Sequence, residues 1–526
     1  MPYVVTQSCC SDASCVLACP VNCIHPAPGE PGFAEAEMLY VDPRACVDCG
    51  ACATACPVDA LKPHTTLTEA ELPFVELNRL FYAEHPHADR TPLALVPQRR
   101  GLVGQDVRVA VVGAGPAGLY AADELLKHPG VTVDVYDRLP TPYGLVRAGV
   151  APDHQHTKQV TQLFAAIEGQ PGFRYRLGVE VGRDVTHEEL ERRYHAVFHT
   201  VGAAADRTLD IPGEDLLGSV SATEVVGWYN GHPDHADVPV DLGGERVVVV
   251  GNGNVALDVA RVLTADPVAL AATDLADLPL ATLRGSRVRE VVVLGRRGPA
   301  EAAFTLPELV GLAGLRDVDV VVESAEPFDL TTPKGRLLAE LAVRPRREGV
   351  RRIVLRFRTA PARILGADAV TGVEVEHTLT GELTTIEASL VIRSIGYRGR
   401  PVAGLPFDEV AGVVPHQAGR VRPGVYVAGW VKRGPSGFIG TNKSCAEESV
   451  SSFLEDLAAG ALVSPAEQPR AIPGEIDLDG WRAIDAEERR RGALQGRPRV
   501  KLDVAEQTTI AHAARPRGKR ALRLRP

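Results

Sequence analysis

The chain has 526 residues, a formal net charge of -10, 45% hydrophobic and 24% charged residues. That length implies several domains, the composition excludes wholesale disorder, and the acidic balance argues against a general nucleic-acid binder. No run of about eighteen apolar residues occurs, and MPYVVTQSCC lacks the regions of a secretion signal, so a cytoplasmic chain without a membrane span is expected.

Nine of the ten cysteines lie in the first 56 residues. Cys46, Cys49, Cys52 and Cys56 form a C-x2-C-x2-C-x3-C-P run. An earlier run repeats it as Cys9, Asp12, Cys15 and Cys19-Pro20, with an aspartate at the second position. This spacing suits iron–sulfur clusters; structural zinc usually shows two separated pairs instead. Residues 1–62 are acidic, with seven Asp and Glu against Arg44 and Lys62. They resemble a bacterial two-cluster ferredoxin of the seven- or eight-iron type, an α+β module. The resemblance implies that Cys46, Cys49, Cys52 and Cys19 hold one [4Fe–4S] cluster. It assigns Cys9, Cys15, Cys56 and Asp12 to the second cluster. Carboxylate is a harder ligand than thiolate, so this cluster is [3Fe–4S], or [4Fe–4S] completed by Asp12 or water. Cys10 and Cys23 are left over as buried thiols.

Residues 63–104 contain five prolines and read as an extended linker. From 105 to about 460, Val-rich strands alternate with helical stretches, the pattern of an α/β protein with parallel sheets. VRVAVVGAGPAGLYAADELL contains Gly113-x-Gly115-x-x-Gly118, a dinucleotide fingerprint, and the following strand VTVDVYD ends at Asp137, placed to accept ribose hydroxyls. RVVVVGNGNVALDVAR repeats the pattern with Gly251, Asn252, Gly253, Asn254 and Val255. Its next strand ends in Arg296 and Arg297 rather than an acid, which suits a 2′-phosphate and therefore NADP(H).

The first turn alone does not separate FAD from NAD. PTPYGLVRAGVAPDH (140–154) and VYVAGWVKRGPSGFIGTNKS (425–444) resemble the adrenodoxin-reductase-like ferredoxin–NADP reductases. That resemblance implies FAD contacts at Ala114, Asp137, Leu145, Val181, Trp430, Gly437, Phe438 and Ile439. It implies NADP contacts at Arg207 and Glu308, with Gly437 near the nicotinamide. One departure is Leu309-Val310-Gly311, where the family often carries more charge.

The expected fold is a ferredoxin-like α+β module (1–62), the linker (63–104), and a two-dinucleotide-binding-domain flavoprotein. Within the latter, the FAD domain takes 105–204 and 395–460, enclosing an NADP domain at 205–394. Residues 461–526 form an extension whose last segment, RPRGKRALRLRP, has six basic residues and no acid; the surplus of basic residues after Trp481 is expected to help dock the acidic module or an acidic external partner. The whole chain resembles a ferredoxin/ferredoxin–NADP reductase fusion, which implies electron flow from NADPH through FAD and the clusters to a one-electron acceptor such as a ferredoxin or haem monooxygenase. No side-chain nucleophile is required, and His154 reads as a packing or hydrogen-bonding residue. The alternatives are an electron-input subunit like the glutamate synthase small subunit, and a non-catalytic iron–sulfur sensor. Replacing Arg296 and Arg297 by Ala should raise the KM for NADPH far more than that for NADH in steady-state assays; equal effects would refute the 2′-phosphate role.

Overall fold

The computed structural model describes residues 3–91, 106–203 and 205–514. In the N-terminal module, strands Tyr3–Val5 and Leu61–Pro63 pair antiparallel, as do Ile24–His25 and Tyr40–Val41. The two cysteine runs fold alike. Ala13 and Gly50 take left-handed backbone before the helices Ser14–Ala18 and Ala51–Ala55, and each helix ends at an extended cysteine, Cys19 or Cys56.

The stretch read as an extended linker is a correction. Residues Pro73–Glu84 form a helix that completes the module. Proline is well placed at its first position, where a missing N–H costs nothing. Phe74, Leu77 and Asn78 face inward. The Asn78 side chain accepts from the Val5 and Val41 N–H groups at 3.2 and 2.8 Å and donates to the Val5 carbonyl at 2.9 Å. One amide thus ties both strand pairs together. Phe81 stacks on Tyr40 at 4.2 Å. Pro92 and Pro97 lie outside the described residues.

The first six-stranded sheet has the order 420–422, 425–427, 196–199, 107–112, 131–137, 173–177, parallel except for the antiparallel edge strand 420–422. The second, all parallel, has the order 219–221, 390–393, 246–250, 290–294, 351–356, 318–323. Val-rich runs such as Val247–Val250 are buried on both faces, Val247 and Val249 towards helices and Val248 and Val250 towards a second layer of strands. In each sheet the chain leaves a central strand, 107–112 or 246–250, for one neighbour and later returns to the other side. The crevice at that reversal is where open α/β sheets bind ligands. A three-stranded antiparallel sheet, 359–366, 370–377 and 383–387, packs on the second sheet.

The C-terminal extension is folded against the first half. Helices Leu478–Leu494 and Val504–Ala514 pack on each other, and Trp481 joins the first-sheet core. Among its described residues the basic side chains are largely paired: Arg490 and Arg491 with Glu487 and Arg489 with Asp485 within the extension, Arg497 with Asp277 and Lys501 with Asp274 across to the second half. The segment 515–526 lies outside the described residues. No described helix is long and apolar enough to cross a membrane.

Glu488 is fully buried. It accepts a two-pronged bond from Arg147 at 2.5 and 2.9 Å, and a third from Arg499 at 2.9 Å. Burial alone would raise its carboxyl, but the Arg147 and Arg499 charges outweigh burial and hold it below the usual range. A depressed carboxyl stabilises the fold above the ordinary carboxylate range and loses that contribution as pH falls through its folded value. Glu488→Ala should destabilise by about 3 kcal/mol near neutrality, because two arginines lose their buried partner. The difference in calorimetric melting temperature from wild type should shrink in acid; a constant difference would contradict the assignment.

Candidate redox site

The first glycine turn is built by steric exclusion. Gly113 has φ 110°, and a Cβ there would meet the Thr200 carbonyl oxygen at 2.7 Å. A Cβ on Gly118 would overlap the Gly113 carbonyl. Gly115 caps the helix Pro116–Leu126, whose first N–H groups face the turn. The Ala114 N–H donates to Asp137 at 2.8 Å, and Leu139 N–H to its other oxygen at 2.9 Å. Burial pushes the Asp137 carboxyl up. These groups fit a dinucleotide pyrophosphate at a helix N-terminus with a carboxylate at the strand end.

Two distant segments close on this turn. Tyr143 N–H bonds the Ala114 carbonyl at 2.8 Å, and a Cβ on Gly144 would meet the Gly115 Cα at 3.1 Å. Leu145 opens the next short helix, partly exposed beside the turn. From the other side, a Cβ on Gly429 would meet the Ala117 Cβ at 2.6 Å, and Trp430 follows. Trp430 is half-buried, lies 5.3 Å from the Tyr397 ring and donates to the Ser436 carbonyl at 3.0 Å. Gly437 has φ 79°, and Phe438 N–H bonds Thr441 at 2.9 Å. Ile439 packs against the first-sheet core. Val181 sits in the loop after strand Phe173–Leu177, bridged to Val185, and makes no hydrogen bond to the turn.

At the second turn Gly251 has φ 107°, and a Cβ on it would overlap the Ser394 carbonyl. Gly253 caps the helix Asn254–Thr264, and nothing lies within 4 Å of a Cβ placed there, which leaves the backbone open to a phosphate. Val255 follows in the first helical turn, and Asn252 accepts from Ala303 N–H at 3.5 Å. Arg296 and Arg297 are exposed directly after strand Glu290–Leu294, and among the described residues neither makes an ion pair. Arg207 is exposed beside Gly396, whose carbonyl accepts its N–H at 3.2 Å. Glu308 is buried, 3.5 Å from Arg261, and its carboxyl is pushed up to about 7 by burial and by the Asp258 charge. His154, Asp258 and Glu308 bring ligand atoms within 4.8 Å of one another.

The cysteines form two groups. Cys19, Cys46, Cys49 and Cys52 line one cavity with Tyr3, Ile24 and Val41. Four soft thiols around an apolar hollow fit a [4Fe–4S] cluster. Cys23 also lines it, with its sulfur 3.4 Å from that of Cys19. On the other side, Cys9, Cys15, Cys56 and Asp12 converge. Cys9 is pushed up to about 12, by burial first and then by the Cys56 and Asp12 charges. Asp12 is buried and accepts from the Ser14 hydroxyl.

Sequence reasoning missed the seam between module and sheets. The second cysteine group faces the FAD-type half: Gly440 N–H bonds the Cys10 carbonyl at 2.8 Å, and a Cβ on Gly440 would overlap the Ser11 backbone. Cys10, Val58 and Ala60 belong to the first-sheet core. Against the second half, Val310 is buried in the module's core, and a Cβ on Gly311 would meet Gln7 at 2.5 Å. The uncharged Leu309-Val310-Gly311 stretch, which the structure places within the helix Leu306–Ala313, was the available signal.

Fold and site together define a two-nucleotide redox protein with an iron–sulfur module seated on it. The model of pyridine nucleotide-disulphide oxidoreductases matches residues 107–438, and that of 4Fe-4S binding domains matches 39–62. A probable ferredoxin/ferredoxin–NADP reductase of Mycobacterium tuberculosis is 53% identical over 98% of this chain and 96% of its own length. The NADPH-ferredoxin reductase FprA of the same organism is 44% identical over 75% of this chain and 96% of its own. The solved structure of that FprA in complex with NADPH aligns with a TM-score of 0.73 and 42% identity, covering 77% of this chain and 99% of that one. The chain belongs to the pyridine nucleotide-disulphide oxidoreductase family, in the branch that carries a ferredoxin module ahead of the reductase. No cysteine lies between 57 and 444, so the family's dithiol chemistry has no residues here.

Proposed function

We propose that this chain is an NADPH-dependent ferredoxin reductase that reduces its own fused ferredoxin and passes single electrons to a protein acceptor in the cytoplasm. The observation that carries this reading is the backbone contact between Cys10 and Gly440, which joins the Asp12 ligand group to the segment that follows Gly437, Phe438 and Ile439. Bound flavin would supply the conversion of a two-electron hydride into the single electrons that iron–sulfur clusters exchange.

The chain's residues bind, orient and shield. Gly113, Gly115 and Gly118 admit the pyrophosphate of FAD, and Asp137 accepts its ribose hydroxyls. Gly251, Asn252, Gly253, Asn254 and Val255 form the NADP(H) turn, with Arg296 and Arg297 on the 2′-phosphate. Arg207 and Glu308 complete that site. Asp153 holds Arg261 at 2.6 Å, which ties the first-turn segment to the helix of the second turn. Lys158 reaches Asp274 at 2.7 Å across the same boundary. These pairs keep the two nucleotides in register.

The Asp12 group, on the side of the FAD-type half, would hold the cluster that takes electrons first, and Cys19, Cys46, Cys49 and Cys52 would hold the one that passes them on. Cys49 is exposed, so that group opens to an outside partner. A hard carboxylate where the motif has a thiolate would hold a fourth iron weakly, which favours [3Fe–4S] for the Asp12 group. Anaerobic NADPH titration with absorbance and low-temperature EPR should show flavin bleaching followed by cluster signals, and Asp12→Cys should gain one iron per chain. Bleached flavin beside oxidised clusters would overturn the route; an unchanged iron content would overturn the three-iron assignment.

A further inference from the structure

Glu37 belongs to the ferredoxin module, yet its side chain ends in the second nucleotide turn. One carboxylate oxygen accepts from the Asn254 amide at 3.0 Å, and the other from the Thr305 hydroxyl. Asn254 in turn accepts from Thr305 N–H at 2.9 Å. The same carboxylate meets that of Glu308. Gln7, also from the module, donates to Glu308 at 3.4 Å. Two residues of the iron–sulfur module therefore grip two residues of the NADP(H) site.

Asn254 is the first residue of its helix, and helix N-termini attract anions. Glu37 places a carboxylate beside that end, on the Asn254 side-chain amide and the Thr305 hydroxyl. NADP(H) brings phosphates to the same place. Like charges at close range in a low-dielectric seam repel strongly, so a carboxylate there either takes a proton or moves.

We propose that Glu37 is a positioning residue of the NADP(H) site, and that its carboxylate competes with the nucleotide phosphates so that NADP(H) binding draws one proton into the seam. This rests on the second turn being the NADP(H) site. The proton comes from solvent and goes to the Glu37–Glu308 pair, with no electron moved. By reciprocity, the state of the seam sets nucleotide affinity as much as nucleotide sets the seam.

The groups facing the pair are few. Asp258 and Arg261 come from the helix of the second turn, Asp153 and His154 from the segment after the first turn, and Gln7 and Tyr40 from the module itself. Burial pushes both Glu37 and Glu308 up to about 7, Asp258 adds to the rise, and Arg261 and His154 oppose it at Glu308. The pair therefore changes its proton count near neutral pH, and the effect on binding appears above about pH 7.

The test uses the full-chain holoprotein and NADP+, titrated by flavin absorbance at about pH 6 and about pH 8.5. Glu37→Gln keeps the acceptor toward Asn254 and removes the charge. It should bind NADP+ roughly fivefold or more tightly than wild type at the higher pH and equally at the lower. Glu69→Gln alters the exposed Glu69–Arg316 pair at the same seam and should match wild type at both. Calorimetry of the wild type in buffers of different ionisation enthalpy should show proton uptake on binding near pH 8, which Glu37→Gln abolishes; this wild-type measurement needs no variant to fold. Equal affinities at both pH values, or no proton uptake by the wild type, would overturn the proposal. A wild type that binds no NADP+ would instead overturn the functional reading on which it rests.

Discussion

The close approach of Gly440 to Cys10 and Ser11 governs the rest of the molecule. A backbone hydrogen bond of 2.8 Å joins the two, and the space there excludes even a methyl group. Electron transfer needs short separation, and here it comes from backbone packing rather than from long charged side chains. Everything around the contact keeps it in place. Cys10 is buried in the core of the first sheet, and the neighbouring Asn442 is bonded to the Phe438 and Ile439 carbonyls. The ligand group nearer the sheet contains the aspartate, and the group with an exposed cysteine points away.

Two further constraints hold the nucleotide halves and the module as one unit. The segment 140–158 is a strap: Tyr143 bonds the first turn, Arg147 enters the buried Glu488 fork, Asp153 grips Arg261, and Lys158 grips Asp274. The buried charges are each held more than once, Glu488 also by Arg499, Arg261 also by Asp258 and Asp274 also by Lys501, and such networks fix geometry even where their net stabilisation is modest. The second constraint is the apolar seam at Val310, joined by Gln7 and Glu37. An acidic module is therefore seated by fit and by shared hydrogen bonds. Among the described residues of the extension, Arg489, Arg490 and Arg491 pair with acids of their own helix, while Arg497 and Lys501 pair with Asp277 and Asp274 of the second half.

Much of this was legible in the sequence because some chemistry is tied to spacing. Glycine turns need glycine where a Cβ would strike a carbonyl, and cluster ligands need cysteines at fixed intervals, so Gly113, Gly118, Cys46 and Cys49 announce themselves. The helix Pro73–Glu84 was hidden by its prolines, although Phe74, Leu77 and Asn78 repeat at helical spacing and Pro73 sits where a helix tolerates it. Glu37 was illegible, since a lone acid in an acidic module has no local signature and its partners lie more than two hundred residues away. The Leu309-Val310-Gly311 stretch of the helix Leu306–Ala313 did differ from the resembling family, and the difference is explained by what covers it. Long-range contacts of this kind are set by tertiary fit, and only the loss of charge on the covered face leaves a mark on the sequence.

The central claim is that electrons leave the flavin through the Gly440 contact. Gly440→Ala puts a methyl group into the Ser11 backbone while leaving a helical φ that alanine adopts freely. Anaerobic single-turnover stopped-flow with NADPH separates the two steps. The account predicts normal flavin content and hydride transfer, with flavin-to-cluster transfer clearly slower than in the wild type, because the methyl group forces the Cys10–Asp12 backbone away from the segment that carries Gly437 to Ile439. Cluster reduction at the wild-type rate would place the electron route elsewhere.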